Sequence, residues 1–157
     1  MLTFQPITPE NEAHVARIFA GDEAQYWVHY NTYWLDSSRT VPGVQARLIY
    51  ADGASQPVGF IAYGQHYADE ALTEAVPDSL EIIHMVIDAP HQRRGYGREA
   101  TLQAIRELRD WPGQHRIVIA HNPSNGPARS LYESLGFALC GENYDGDPLL
   151  ELRGDPL

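Results

Sequence analysis

One cysteine, no apolar run the length of a membrane span, and 11 basic residues against 21 acidic ones are the first limits on this chain. Cys140 has no second cysteine to pair with, so an internal disulfide is excluded, which fits a reducing compartment. The lack of any apolar run near the roughly 18 residues that a bilayer span needs argues against a membrane protein. The first residues, MLTFQPITPE, show neither a basic n-region nor a long apolar stretch, so no secretory signal is expected and a cytoplasmic setting is. The net charge of −10 argues against nucleic acid, because phosphate contacts need clustered Lys and Arg. The seven histidines show no zinc-like spacing with cysteine or carboxylates, so no metal site is predicted.

What is present suits a folded domain. The chain has 157 residues, 43% of them hydrophobic, enough to bury a core without disulfides or a structural metal. No repeat, low-complexity tract or linker interrupts it, so a single domain over residues 1–157 is expected. Acid is spread through Asp22, Glu23, Asp69, Glu70, Glu74, Asp78, Glu142, Asp145 and Asp147. Such a surface attracts a cationic small molecule and equally serves solubility. Most arginines lie between Arg93 and Arg129, which leaves a local anion site open.

Pattern and punctuation predict a mixed α/β order with several hairpins. Leu2–Pro6 reads as a short strand. Thr8-Pro9-Glu10 reads as a helix start, with the helix running to about Gly21. The aromatic stretch Gln25–Trp34 reads as helical. Arg47–Ala51 and Pro57–Tyr67 read as strands joined by a turn at Asp52-Gly53. Leu80–Asp88 (LEIIHMVID) is apolar with little alternation, as a central strand is. Gly95–Arg109 reads as a helix burying Leu102, Ile105 and Leu108. Arg116–Ala120 is a strand, Pro127–Leu135 a helix stopped by Gly136, and Phe137–Glu142 and Leu149–Arg153 are strands around a turn.

The segment Gln92-Arg93-Arg94-Gly95-Tyr96-Gly97-Arg98 falls between the central strand and an amphipathic helix. Glycines permit close backbone approach, and a helix start offers unpaired N–H groups and a positive dipole end. With three arginines this is chemistry for a pyrophosphate. Gly95-x-Gly97-x-x-Ala100 also matches a dinucleotide fingerprint, but that motif needs its glycines directly after the strand and an acid ending the next strand. Here Ala89 to Arg94 intervene, and the next strand is followed by His121 and Asn122. A Walker loop is absent.

Gln92-Arg93-Arg94-Gly95-Tyr96-Gly97 resembles the pyrophosphate loop Q/R-x-x-G-x-G/A of the GNAT acetyltransferases. Downstream, Asn125-x-x-Ala128-x-x-Leu131-Tyr132 with Gly136-Phe137 resembles a second signature of that family. The resemblance covers Leu80–Phe137 most fully. It implies the GNAT fold: a central mixed, mostly antiparallel sheet of about six or seven strands, flanked by about four helices, whose splayed central strands hold acetyl-CoA. It further implies that Gln92, Arg93, Arg94, Gly95, Tyr96, Gly97 and Arg98 bind the pyrophosphate. Met85, Val86 and Ile87 would pair with the pantetheine, and Asn125 and Ala128 would lie along the cofactor arm. A helix cap is the plain alternative for Asn125.

The implied activity is acetyl transfer from acetyl-CoA to an amine. An ammonium has no lone pair and a pKa near that of lysine, about 10.4, so a base is useful. Glu81 resembles the glutamate base of one GNAT branch, and His84 or a water chain are alternatives. Tyr132 matches the family's general acid, and a backbone N–H near Val86 is an oxyanion donor. Cys140 is not expected to carry the acetyl group, since the family transfers it directly. The carboxyl half is similar to bacterial diamine and polyamine acetyltransferases, whereas residues 22–36 depart from them. Tyr26, Trp27, Tyr30, Tyr33 and His84 are the candidate acceptor contacts, through cation–π and ion pairing. Peptide or protein amines and aminoglycosides are alternative acceptors, and an inactive acetyl-CoA-binding module is the alternative function. The expected partner is a small-molecule amine, with homodimerisation left open.

Overall fold

The structure, a computed structural model, describes residues 1–21 and 28–156. Its strands are β1 (Leu2–Pro6), β2 (Val44–Ala51), β3 (Gly59–Tyr67), β4 (Ala75–Ile87), β5 (Arg116–Ala120), β6 (Phe137–Glu142) and β7 (Pro148–Leu152). They form a seven-stranded sheet in the order β1-β2-β3-β4-β5-β7-β6. Strand β4 is parallel to β5, while β1/β2, β5/β7 and β6/β7 are antiparallel, so the sheet is mixed. Helices α1 (Val28–Thr40), α2 (Tyr96–Arg109) and α3 (Gly126–Ser134), with 3₁₀ helices at Glu12–Arg17 and Ala89–His91, complete the described elements. No helix among the described residues is long and apolar enough to cross a membrane.

The chain divides into two compact units, Met1–Tyr63 with His84–Ala104 and Gly64–Ile83 with Ile105–Leu157. The first is centred on Leu48, Ile49, Phe60 and Ile61, all without exposure. Burying each such side chain is worth about 1.5–3 kcal/mol. The helix expected from Pro9 to Gly21 is here a short 3₁₀ helix. The Asn11 side chain accepts from Thr8 N–H and donates to the Pro6 carbonyl, and Glu12 N–H donates to the Thr8 carbonyl, so a single turn forms at Thr8 before the 3₁₀ segment. In α1 the buried Asn31 donates to the carbonyls of Val15 and Ile18, tying the helix to that segment. On α2 the buried stripe is Ala100, Thr101, Ala104, Ile105 and Leu108, while Leu102 is only half-buried. Small residues let the helix lie close, so the contact face is rotated from the one the leucine spacing predicts.

In the second unit Leu80, Ile82, Leu108, Ile119, Leu135 and Leu150 form the core. Strand β4 begins at Ala75, five residues before the predicted Leu80, and passes through Asp78 at φ 56°. Its ladder with β5 runs from Ser79↔Arg116 to Ile82↔Ile119, and β4 continues to Ile87. Helix α3 starts on Asn125, whose Oδ1 accepts from Ala128 N–H, and it is followed by Gly136 at φ 102°, where a side chain would be strained.

Candidate active site

In the first unit the end of β4 leads into the arginine-glycine loop. Asp88 N–H donates to Val58 O and Ala89 N–H to Phe19 O, so the strand end is held before the loop starts. The Gln92 side-chain amide donates to the carbonyls of Ala20 and Ile87, at 2.9 and 3.0 Å. Gln92 therefore braces the loop through its amide. Arg93 and Gly95 then take left-handed backbone angles, φ 65° and 81°, and turn the chain into α2. A Cβ at Gly95 would meet nothing within 4 Å, so the conformation, not crowding, calls for glycine there. The N–H groups of the first turn, Tyr96, Gly97 and Arg98, have no carbonyl one turn back within the helix. Arg93, Arg94 and Arg98 are exposed beside them. Open space at Gly95, first-turn amides and cationic side chains fit a pyrophosphate.

The Met85 Sδ accepts from Thr101 Oγ1 at 3.8 Å, which joins β4 to α2. Val86 is 4% exposed, while Met85 and Ile87 on the opposite face are half-buried. His84 is held by structure: Asn31 uses its amide on two carbonyls, so its Oδ1 faces His84 Nε2 at 2.7 Å, and the ring must donate there. Burial pushes His84 down to about 4. Phe60 and Tyr30 flank its ring at 5.9 and 6.4 Å. Tyr30 is exposed, and Tyr33 is exposed and packs edge-on against the buried Trp34 at 5.0 Å. Tyr26 and Trp27 lie outside the described residues.

In the second unit Glu81 pairs with Val118 inside the parallel ladder, and its side chain is only 13% exposed. It is not left in solvent beyond the end of the sheet. Burial raises its carboxyl to about 8. His66 Nε2 lies 3.9 Å from its Oε1. Tyr132, on α3, is 8% exposed, with its ring 6.5 Å from His121 and 6.1 Å from Phe137. Burial pushes its phenol up to about 12, so it is no surface tyrosine and it keeps its proton. Asn125 and Ala128 meet in the helix cap described above, which occupies the Asn125 oxygen.

Sequence reasoning missed several polar groups in this unit. His66 and Ser79 are buried, and Ser79 Oγ lies 2.9 Å from His66 Nδ1 and 3.2 Å from Arg116 Nε. His121 Nδ1 is 2.8 Å from the Asn122 carbonyl, and its buried Nε2 has no partner among the described residues. A cavity of about 360 Å³ opens beside His66, Arg116, Glu142 and Tyr144. The polar pair Gln65-His66 at the end of the largely apolar β3 is the one signal that pointed there. No group of three or more His, Cys, Asp or Glu among the described residues is arranged to hold a metal ion.

A model of the acetyltransferase (GNAT) family matches residues 8–137. The UPF0039 protein C11D3.02c of Schizosaccharomyces pombe is 30% identical over 95 residues, which is 59% of this chain and 61% of that protein. Mycothiol acetyltransferase of Thermomonospora curvata is 39% identical over 66 residues, 41% of this chain and 22% of that protein. The match therefore spans less than two thirds of either relative. Among solved structures, aminoglycoside acetyltransferase AAC(6')-Ib in complex with coenzyme A superposes with a TM-score of 0.76 at 18% identity, over 98% of this chain and 95% of that one. The likeness shows a shared fold.

Proposed function

We propose, because the chain belongs to the acetyltransferase (GNAT) family, that it transfers an acetyl group from acetyl-CoA to a primary amine. The observation that carries this reading is the braced loop Gln92–Arg98, which presents first-turn amides and arginines at the start of α2. When bound, acetyl-CoA supplies an activated thioester and a thiol leaving group. Arg93, Arg94, Arg98 and the amides of Gly95 to Gly97 hold its pyrophosphate, and the backbone of Met85–Ile87 takes its pantetheine as an added strand.

Glu81 acts as the base. A proton moving from an amine of pKa about 10.4 to a carboxylate at about 8 climbs roughly two pH units, against roughly six for His84 at about 4. Its proton affinity is the closer match to the amine, so the carboxylate is the matched acceptor. Tyr132 stays protonated across the working range and donates its phenolic proton to the departing thiolate. The acceptor is a cationic amine, with diamines and polyamines favoured by the net charge of −10 and by exposed Tyr30 and Tyr33. Release of free thiol from acetyl-CoA tests the reading, using a panel of diamines, polyamines, an aminoglycoside and a peptide N-terminus. Thiol release with one amine class supports it. Binding of acetyl-CoA with no release across the panel favours a module that binds without transferring.

A further inference from the structure

We propose that Arg116, Ser79 and His66 form a hydrogen-bonded chain that fixes the His66 ring with its Nε2–H toward Glu81, so that His66 is the positioning residue that eases ionisation of the buried Glu81 carboxyl. The proposal rests on the reading of Glu81 as the base. Its groups come from three strands. Ser79 and Arg116 are partners in the β4/β5 ladder, Glu81 lies two residues along β4 on the same face, and His66 stands on β3.

The direction follows from donor chemistry. Arginine has donors only, so Ser79 Oγ accepts from Arg116 Nε at 3.2 Å. The hydroxyl still has its own proton to give, and in the proposed chain that proton goes to His66 Nδ1 at 2.9 Å. Nδ1 becomes the acceptor and the ring proton sits on Nε2, the nitrogen 3.9 Å from Glu81 Oε1. That separation is longer than a hydrogen bond, and in the proposed arrangement the neutral ring closes on the carboxyl as negative charge develops there.

The surroundings keep the ring in this role. His66 is 6% exposed, and its proton affinity is lowered first by burial and then by the Arg116 charge. A neutral ring donates to Glu81 without competing for the amine's proton. The other titratable groups on this side are Tyr67 on β3, Cys140 and Glu142 on β6, and Tyr144 on the following turn, all lining the cavity that His66 also lines. Glu151 engages Arg116 through Nη1 at 3.3 Å, which leaves Nε on Ser79. Burial works against an ionised Glu81, and a His66 Nε2–H at 3.9 Å is placed to offset part of that cost.

Nuclear magnetic resonance on protein labelled with ¹⁵N-histidine and ¹³C-carboxyl glutamate tests this without any acceptor. Glu81→Gln assigns the Glu81 signal. In the unmodified protein the His66 nitrogens should report a neutral ring protonated at Nε2. In His66→Phe the Glu81 titration midpoint should rise by about one pH unit. Arg116→Met should raise it by less. His66→Gln, which keeps an amide donor, should restore part of the difference and serves if the Phe variant does not fold. A ring protonated at Nδ1, or an unmoved midpoint in both His66 variants, overturns the proposal. Thiol release from acetyl-CoA with spermidine separates the two readings. A slowed Glu81→Gln enzyme with an unmoved midpoint in the His66 variants condemns the donor chain alone. A fully active Glu81→Gln enzyme with a shifted midpoint condemns the base and leaves the chain in place.

Discussion

Gly59→Ala tests whether the close approach of β3 to the end of β4 shapes the coenzyme strand. A Cβ at Gly59 would stand 2.5 Å from the Val86 carbonyl oxygen, 3.1 Å from Ile87 Cδ1 and 3.2 Å from Ile49 Cδ1. Carbon and oxygen in contact settle at about 3.3 Å or more, so the strands must part locally by about 0.8 Å. The obstructing atom is backbone in a paired strand, and it cannot swing aside as a side-chain tip does. Overpacking of this kind costs about 1–3 kcal/mol, and a domain of this size loses about 2–4 °C in Tm for each, which gives a fall of roughly 2–12 °C. The displaced residues are Val86 and Ile87, so acetyl-CoA affinity should fall together with stability. Thermal melting and calorimetric titration of acetyl-CoA read both. Gly53→Ala is the contrast: nothing lies within 4 Å of its Cβ, and the cost is only the left-handed backbone at φ 72°. That cost is about 1 kcal/mol, and coenzyme affinity should not change. Equal melting of Gly59→Ala and the unmodified protein would refute the reasoning.

Gly97→Asp should leave α2 folded, since an acid in the first turn suits the helix dipole, yet weaken acetyl-CoA about tenfold or more by repelling its pyrophosphate; titration calorimetry beside a melting curve decides this. Tyr132→Phe should lower turnover by about 10²–10⁴-fold with coenzyme affinity little changed, measured by steady-state rates and direct binding. Glu81→Gln carries a pH signature in stability. The folded protein holds the Glu81 proton to about 8 where an ordinary glutamate releases it near 4.5, so its contribution is complete below about 4.5 and lost as pH rises through about 8. The Tm of Glu81→Gln relative to the unmodified protein should therefore climb across that window, and a flat difference would show that Glu81 is not buried as described.

Strand β4, its loop and α2 are legible because an apolar run, a glycine pair and a helical stripe follow one another without a break. The signatures around Gly95 and Tyr132 likewise rest on residues close in sequence. The start of β4 is hidden because Pro77 and Asp78 are poor strand formers, yet the strand passes through them with one left-handed residue at Asp78. The expected amino-terminal helix starts at Thr8 as read but is only a turn and a 3₁₀ segment, whose end the local pattern did not mark. The motif places Gln92 in the loop but does not reveal that its amide reaches the Ala20 carbonyl, 72 residues away in sequence. His66, Ser79 and Arg116 could not be grouped from spacing, because only the ladder register brings residues so distant onto one face. His84 could be noticed but not assigned, since its character depends on Asn31, 53 residues earlier.

The central claim is transfer of acetyl from acetyl-CoA to an amine nitrogen, and following the label from acetyl-¹⁴C-CoA tests it most directly. Purified protein is incubated with the labelled coenzyme and each amine class in turn, and the products are separated from protein and coenzyme. The account predicts label on the amine in step with thiol released, none retained on the protein, and a rate that falls in Tyr132→Phe. Label retained on Cys140, or left on the coenzyme with every amine, would contradict it.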